Sequence, residues 1–357
     1  DDKIAWYENT DGQGSFGPQQ IISTANNFAY SVFSSDLDGD GDLDVLSAGS
    51  AFDGKIDWYE NSDGQGSFGP QRIISTADNA AMSVFSSDLD GDGDLDVLSA
   101  FYNDDKIVWY ENTDGEGSFA AQQVVSTDAD FPTSVVSADL DGDGDLDVLS
   151  ASDADDKIAW YENTDGQGSF GPQQIISTVA DGAWSVYFGD LDGDGDLDVL
   201  SASYSDDKIA WYENTDGQGS FGPEQIISAL ADGAQTVYCN DLDGDGDLDV
   251  LSASQYDDKI AWYENTDGDG SFGPQQTISA VADGAKSVVT ADLDNDGDLD
   301  VLSASLYDNK IAWYENLTPN INSPISAPIN LNSSLTDAGH VQLNWSANPE
   351  PHLAKYY

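Results

Sequence analysis

The sequence predicts an all-β fold, a β-propeller of four-stranded blades, and three observations support this prediction. First, a nine-residue string of aspartate, glycine and leucine recurs every 51 or 52 residues. Its copies begin at Asp36, Asp88, Asp139, Asp190, Asp241 and Asp292, and the sixth has Asn295 in place of one glycine. Second, each period holds four short strand-like segments separated by turn-forming residues. Third, no stretch has the period of a helix. A unit of this length that repeats along the chain fits a propeller blade.

One period, residues 185–228, shows the four predicted strands. Strand A ends at the aspartate loop, and strand B, Val-Leu-Ser-Ala, follows the loop. Strand C, Lys-Ile-Ala-Trp-Tyr, alternates, with Ile209 and Trp211 on one face. A glycine-rich turn then leads to strand D, Gln-Ile-Ile-Ser. Because strands B and D carry adjacent apolar pairs, we expect both faces of each blade to be covered.

The aspartate string has the spacing of a calcium loop. In the first copy, positions 1, 3 and 5 are Asp36, Asp38 and Asp40, the position-7 carbonyl belongs to Asp42, and position 9 is Asp44. Calcium takes six to eight oxygen ligands, and an EF-hand loop uses the same positions 1, 3, 5 and 7. The glycine at position 6 permits the sharp turn around the ion. This loop differs from an EF-hand because it closes at position 9 and runs into a strand.

Two details of the loop are further predictions. The leucines at positions 2 and 8, Leu37 and Leu43 in the first copy, are expected to anchor the loop to the core. The Asp42 side chain is expected to point into water while its carbonyl binds the ion.

The alternative to a metal site is a solvated turn, since aspartate and glycine are good turn formers. Five aspartates in nine residues repel one another without a counterion, which favours the metal. Magnesium is disfavoured because it needs strict octahedral geometry, and soft metals because no Cys or His lies near a loop. We therefore predict six Ca²⁺ sites. The candidate ligand residues are Asp36, Asp38, Asp40, Asp42 and Asp44; Asp88, Asp90, Asp92, Asp94 and Asp96; Asp139, Asp141, Asp143, Asp145 and Asp147; Asp190, Asp192, Asp194, Asp196 and Asp198; Asp241, Asp243, Asp245, Asp247 and Asp249; Asp292, Asp294, Asp296, Asp298 and Asp300.

The composition excludes several partners. The 357 residues include 68 acidic and 10 basic side chains, for a formal net charge of −58. Nucleic acid and anionic membranes are therefore excluded as partners, and no apolar run is long enough to span a bilayer. The single cysteine, Cys239, lies in a predicted strand and is expected to be a buried thiol. Calcium loops and this acidity favour a secreted protein with an extracellular or cell-surface location.

The unit resembles the FG-GAP/VCBS repeat of integrin α heads and bacterial surface proteins. The resemblance covers residues 1–317 and rests on the aspartate loops and on a Phe-Gly pair, as at Phe16 and Gly17. The pair recurs in four further copies, but one copy has Phe119 and Ala120 instead. The resemblance implies a calcium-stabilised β-propeller, usually seven-bladed, that serves adhesion or recognition.

The blade count and the chain ends leave alternatives open. The Lys-Ile-X-Trp-Tyr-Glu-Asn segment occurs seven times and the aspartate loop six times. Seven blades with a trimmed N-terminus are favoured over six blades with a spare strand C. Residues 318–328 are predicted to be a linker, and 329–357 resemble the first part of a fibronectin type III domain, a truncated β-sandwich segment. The incomplete terminal blade also suggests self-assembly.

Because strands alternate in direction, the A–B and C–D connections share one face of the ring, and the B–C and D–A connections share the other. The second face is where the copies differ, and loops on a rigid scaffold carry recognition. It is predicted to bind a protein or glycan ligand. The predicted recognition residues are Tyr30, Phe52, Met82, Phe101, Tyr102, Trp184, Tyr204, Gln235, Tyr256, Lys286 and Tyr307.

Three classes of function remain open. Recognition or adhesion is preferred, because aromatic residues are enriched at binding hot spots. A structural or filament-forming role is second. An enzyme, such as a polysaccharide lyase, is third, because catalysis needs one asymmetric constellation whereas the loop carboxylates here are repeated and committed to metal. The chain is therefore expected not to be an enzyme.

Overall fold

The computed structural model describes residues 3–25, 28–49, 54–77 and 79–317, and the backbone of two further strands. Within these residues the protein is all-β, and the only helix is the 3₁₀ turn Tyr102–Asp104. Consecutive strands pair antiparallel into separate sheets, and the sheets are arranged as a propeller ring. The predicted fold class is confirmed.

The strands fall into a ribbon and six blades. The N-terminal ribbon contains β1 (Ile4–Trp6) and β2 (Gln20–Ser23). Blade 1 contains β3 (Ala29–Ser35), β4 (Asp44–Gly49), β5 (Ile56–Tyr59) and β6 (Arg72–Ser75). Blade 2 contains β7 (Ala81–Ser87), β8 (Asp96–Phe101), β9 (Lys106–Tyr110) and β10 (Gln123–Ser126). Blade 3 contains β11 (Pro132–Ala138), β12 (Asp147–Ser152), β13 (Lys157–Tyr161) and β14 (Gln174–Ser177). Blade 4 contains β15 (Ala183–Gly189), β16 (Asp198–Ser203), β17 (Lys208–Tyr212) and β18 (Gln225–Ser228). Blade 5 contains β19 (Ala234–Asn240), β20 (Asp249–Ser254), β21 (Lys259–Tyr263) and β22 (Gln276–Ser279). Blade 6 contains β23 (Ala285–Ala291), β24 (Asp300–Ser305) and β25 (Lys310–Tyr314).

The blade count agrees with the six-blade alternative of the sequence analysis. Six blades have a strand A and an aspartate loop, and the ribbon supplies the spare strand C together with a strand D. The ribbon lies between blade 6 and blade 1, since Asn9 Nδ2 donates to the Leu293 carbonyl and Trp6 packs edge-on against Phe68. The described residues form six blades and a two-stranded ribbon, so they fit the six-blade alternative rather than the preferred seven.

The core lies between neighbouring blades rather than within one of them. Strand B is buried along its whole length in blades 2 to 5. The apolar cluster between blades 3 and 4, for example, joins Leu149 and Trp160 to Val186 and Tyr212. Apolar residues on both sheet faces are therefore needed, as the adjacent apolar pair in strand B predicts.

Three repeated contacts hold each blade against the next. The asparagine that follows strand C donates from Nδ2 to the carbonyl of the position-2 leucine in the preceding blade, as Asn214 does to Leu140 at 2.8 Å. A glycine of the C–D turn packs against the ring of the strand-C tryptophan of the preceding blade, as Gly168 does against Trp109. The phenylalanine of the Phe-Gly pair meets the same tryptophan edge-on.

The two predicted leucine anchors have different outcomes. Leu37 is 1% exposed, as expected, but Leu43 is 61% exposed. In the later copies the position-8 leucine packs against the core of the preceding blade. The element that precedes blade 1 in the ring is the ribbon, which has no strands A and B in the described residues. Leu43 therefore has no core surface of a preceding blade to pack against.

The C-terminal predictions lie mostly outside the described residues. Two strands, β26 (Asn332–Leu335) and β27 (Val341–Asn344), pair antiparallel. The linker and the fibronectin type III segment stay predictions.

Candidate functional site

The aspartate loops bring their first carboxylates together. Oxygens of Asp36, Asp38 and Asp40 all lie within 4.8 Å of one another. Backbone N–H groups shape the loop around them, since Gly41 N donates to Asp36 Oδ2 at 3.0 Å and Asp42 N donates to Asp40 Oδ1 at 2.9 Å. The loops that begin at Asp190 and Asp241 gather the same three positions, whereas those that begin at Asp88 and Asp139 gather positions 1, 3 and 9.

The electrostatics of these clusters fit a bound cation. Asp36 Oδ1 and Asp190 Oδ1 are buried and have no hydrogen-bond partner, a costly arrangement for a carboxylate. Burial and the neighbouring Asp194 carboxylate raise the pKa of Asp192. The set contains only oxygen donors, which suit Ca²⁺, Mg²⁺ or Mn²⁺ rather than soft metals. The loops could therefore hold a hard divalent cation, and calcium is consistent with this donor set.

The position-9 aspartate has a structural role that sequence reasoning missed. In blade 4, Asp198 is fully buried; its Oδ2 accepts from Leu191 N at 2.9 Å and its Oδ1 from Asn214 N at 2.8 Å. The carboxylate thus ties the loop to the end of strand C. Burial nevertheless outweighs these two bonds and raises the pKa of Asp198 to about 7. A carboxylate has further lone pairs, so this role is compatible with metal binding.

The position-7 aspartate does not project freely into water as expected. In blade 1 the Asp42 carboxylate lies against Gly64 of the C–D turn, where any Cβ would come closer than 3.0 Å to it. Gly64 has a φ of +60°, which also favours glycine. The same contact joins Asp94 to Gly115. The glycines of the C–D turn therefore make room for the aspartate loop.

The opposite face carries the variable residues on six β-bulges. The strand pairing shifts register at the second residue of strand A in every blade. A bulge re-aims the extra side chain. Sequence reasoning placed these residues just before strand A and missed the bulge. They are Tyr30, Met82, Thr133, Trp184, Gln235 and Lys286.

Many of the predicted recognition residues contact one another, both within a blade and between blades. Trp184 and Tyr204 have ring centroids 5.6 Å apart, and Tyr204 and Tyr256 have centroids 5.4 Å apart. Lys286 Nζ lies 5.8 Å from the centroid of the Trp184 ring. The Tyr307 hydroxyl accepts from Gln255 Nε2 at 2.6 Å. The structure therefore joins blades 4, 5 and 6 in one aromatic and polar cluster.

A second cluster lies on blades 2 and 3. Tyr102 stacks on Phe131 with centroids 4.6 Å apart, and its hydroxyl donates to Asp153 Oδ2 at 3.0 Å.

Tyr30, in blade 1, is 43% exposed, and burial of its hydroxyl raises its pKa to about 12. Met82 is half-buried.

Two predicted recognition residues fall elsewhere. Phe101 is fully buried in the core between blades 1 and 2, because it is the last residue of β8 and points away from the face. Its assignment to the recognition face is wrong. Phe52 lies outside the described residues. Gln235 is on the face but only 3% exposed, so it lies beneath its neighbours.

Sequence reasoning also missed Phe28, Phe131 and Gln255. Phe131 has a φ of +54° and Phe28 a φ of +52°, and other repeats have glycine at this position, as at Gly182. Alignment of the repeats against each other would have shown a bulky residue in a place suited to glycine. Gln255 could not be identified in this way, because its role depends on contacts with another blade.

The cysteine prediction is confirmed, and the lysines at the start of strand C form ion pairs. Cys239 is 7% exposed, and burial raises the pKa of its thiol to about 12. The lysines at the start of strand C pair with nearby acids, as Lys157 does with Asp155 at 2.7 Å. Among the described residues, no helix is long and apolar enough to cross a membrane.

A ring of blades, in each of which an aspartate loop joins the first two strands, defines a repeat β-propeller. The FG-GAP-like repeat matches residues 1–47, 36–99, 88–150, 139–201, 190–252 and 241–303. The chain belongs to the FG-GAP-like repeat family. No curated protein matches the sequence.

Solved structures resemble the chain at low sequence identity. BBS1N, solved in complex with ARL6DN, is 12% identical, with 97% of each chain covered and a TM-score of 0.57. A functionally unknown protein from Desulfotomaculum acetoxidans is 10% identical over 88% of this chain and 89% of its own, with a TM-score of 0.56. The Vibrio cholerae biofilm matrix protein Bap1 is 19% identical over 74% of this chain, with a TM-score of 0.45. This chain spans 42% of Bap1. At these identities the likeness concerns the fold alone.

Proposed function

We propose that this protein is a calcium-stabilised recognition module, secreted or at the cell surface, that binds a glycan or a protein on the face opposite the aspartate loops. The observation that carries the proposal is the contrast between the two faces of one ring. One face repeats the aspartate loop in all six blades, with Asn295 replacing one glycine in the last, and repeats the glycine turn in the ribbon and in blades 1 to 5. The other gathers different aromatic and polar residues from neighbouring blades. The proposal assigns no catalysis to the protein.

Calcium is assigned a structural task in this proposal. Six ions would be held by the carboxylates at positions 1, 3, 5 and 9 and the carbonyl at position 7. The buried Asp36 and Asp190 oxygens without partners support this assignment. A ligand that binds only the folded state stabilises it by about 2.7 kcal/mol per site at a hundredfold excess over its Kd. Metal analysis after gel filtration in calcium should find close to six ions per chain, and empty loops would contradict the assignment.

Backbone strain on the opposite face supports recognition there. Left-handed backbone costs a residue with a side chain about 1–2 kcal/mol, yet Phe28 and Phe131 both adopt it. Such strain clusters at functional sites. Exposed apolar side chains also lie in the connections of this face, including Leu230 at 67% and Val281 at 75% exposure. By contrast, the loop face presents mostly aspartate, glycine, glutamine and serine.

The test is binding to a glycan array and to candidate proteins, in calcium and in chelator. The double variant Trp184→Ala, Tyr204→Ala removes two contacting rings and should abolish binding, with calcium content and melting temperature nearly unchanged. The control is Ile226→Ala, which removes an apolar side chain that is 55% exposed on the outer strand of the same blade, outside the cluster of rings. Normal binding by the double variant, or a ligand bound on the C–D turns, would contradict the proposal.

A structural or filament-forming role is the second candidate. Ile311 of β25 is 60% exposed, whereas the equivalent Ile209 in blade 4 is fully buried. Strand β25 has no strand-D partner among the described residues, and an open edge can pair with another chain. Light scattering across a concentration series tests this role, and a monomer at all concentrations would refute it.

A further inference from the structure

The cluster on blades 4 to 6 contains Lys286, whose surroundings differ from those of four ion-paired lysines at the start of strand C. Lys157, Lys208, Lys259 and Lys310 each pair with the aspartate two residues earlier. Lys286 has no carboxylate partner among the described residues. Its Nζ donates instead to Gln235 Oε1 at 2.8 Å and to Gln255 Oε1 at 2.7 Å.

The hydrogen bonds around Lys286 leave donors without acceptors. An ammonium group has three donors, and two are used by the glutamine oxygens. Both amides must present oxygen to the lysine, so their nitrogens point away from it. Gln255 Nε2 donates to the Tyr307 hydroxyl, but Gln235 Nε2 is buried without any partner in a residue that is 3% exposed. The third ammonium hydrogen of Lys286 and the Nε2 group of Gln235 therefore lack acceptors, and the ammonium group prefers an anionic one.

Burial makes this lack costly. Lys286 is half-buried, and removal of water around the ammonium lowers its pKa to about 8. Two amide dipoles and the face of Trp184 compensate the charge only in part. The net charge of −58 repels anions at a distance. Lys286 therefore attracts only an anion that contacts it directly.

The aromatic residues beside Lys286 determine which anion fits. Trp184, Tyr204 and Tyr256 form a row of tilted rings, and Tyr256 is 59% exposed. Apolar ring faces with a few placed polar groups are typical of small-ligand sites. A sugar that carries a carboxylate on its ring offers C–H groups to the aromatic faces, hydroxyls to the tyrosines and amides, and an anion to the lysine.

We infer that Lys286 receives the carboxylate of an acidic sugar, a uronate residue of a polysaccharide, whose ring stacks on Trp184 and Tyr204. This inference rests on the proposed recognition function and assigns its ligand class. It places the specificity for charge in a residue that only one of the six blades carries. An acidic peptide is the competing ligand, and the experiment below distinguishes it.

The experiment measures binding of the whole calcium-loaded protein to glucuronate- and galacturonate-containing oligosaccharides by calorimetry. Matched ligands are the same oligosaccharides with methyl-esterified carboxyl groups, and an acidic peptide of equal charge. We expect the acid form to bind at least tenfold more tightly than the ester and the peptide. Lys286→Met should reduce affinity for the acid at least tenfold, with affinity for the ester unchanged. The control Lys259→Met removes a lysine that is paired with Asp257 and should change affinity less than twofold.

The outcomes separate this inference from the proposed function. If neutral glycans bind, Trp184→Ala abolishes that binding, and neither esterification nor Lys286→Met has an effect, recognition stands and the uronate assignment is overturned. If the acid binds equally to wild type and Lys286→Met, calcium bridging at the loops holds it, and the inference is overturned. Tighter binding of the peptide also overturns it. If no glycan or protein binds on this face, both the inference and the recognition function fail. An unchanged or higher melting temperature of Lys286→Met confirms that the variant is folded.

Discussion

The contact between a C–D turn glycine and the tryptophan of the preceding blade can be tested with three glycine-to-alanine variants in blade 3. A Cβ at Gly168 would come closer than 3.0 Å to the ring of Trp109, which is 2% exposed and cannot move aside. With a φ of +75°, Gly168→Ala should cost about 1–2 kcal/mol for the left-handed backbone and about 1–3 kcal/mol for overpacking. Gly144 has a φ of +98° but no atom within 4 Å, so Gly144→Ala should cost only the backbone strain. Gly171 has ordinary contacts and Ala120 occupies its place in blade 2, so Gly171→Ala should stay within about 0.5 kcal/mol of wild type.

The assay is urea unfolding at fixed free calcium, with the midpoint compared at an unchanged m-value. The expected order of stability is Gly171→Ala, then Gly144→Ala, then Gly168→Ala as the least stable. The same unfolding curves recorded in chelator separate an effect on calcium binding by the aspartate loop, which contains Gly144, from an effect on blade packing. If Gly168→Ala is as stable as Gly171→Ala, the glycine–tryptophan contact does not lock the blades.

Three further predictions concern the loops. Chelation should lower the melting temperature by many degrees, and more at low salt because repulsion between carboxylates is then less screened; an unchanged melting curve in calorimetry would refute a stabilising role for calcium. Asp192→Asn should lower the melting temperature in calcium, where a ligand is lost, and raise it in chelator, where one repelling charge is removed; the same sign in both buffers would contradict this. Burial raises the folded-state pKa of Asp96, Asp147, Asp198 and Asp249 to about 7, above the ordinary value near 4. The calcium-free folded protein then holds more protons than the unfolded chain between these values, so its stability should rise as the pH falls from 7 to 5. Calorimetry at both pH values in chelator checks the sign.

The repeats predicted much of the fold because each blade obeys the same local rules. Strand boundaries, the two faces and the shared core all follow from the period and the apolar pattern. The contacts between blades could not be predicted in this way. The bond from Asn214 to the Leu140 carbonyl spans 74 residues, and nothing in either residue indicates the other. Likewise, Phe101 is aromatic and near a loop, but its direction at the end of β8 decides that it is core.

The same contacts explain why variation is confined to one face. On the loop face, a glycine such as Gly168 meets the tryptophan of the preceding blade, and a position-2 leucine carbonyl accepts from the following blade. A change there disturbs two blades at once, so the copies differ at few positions, such as Ala120 and Asn295. The bulged residue of strand A lies outside these repeated contacts. Trp184, Gln235 and Lys286 can therefore differ, and because they contact one another across the ring, their differences combine into a single asymmetric site.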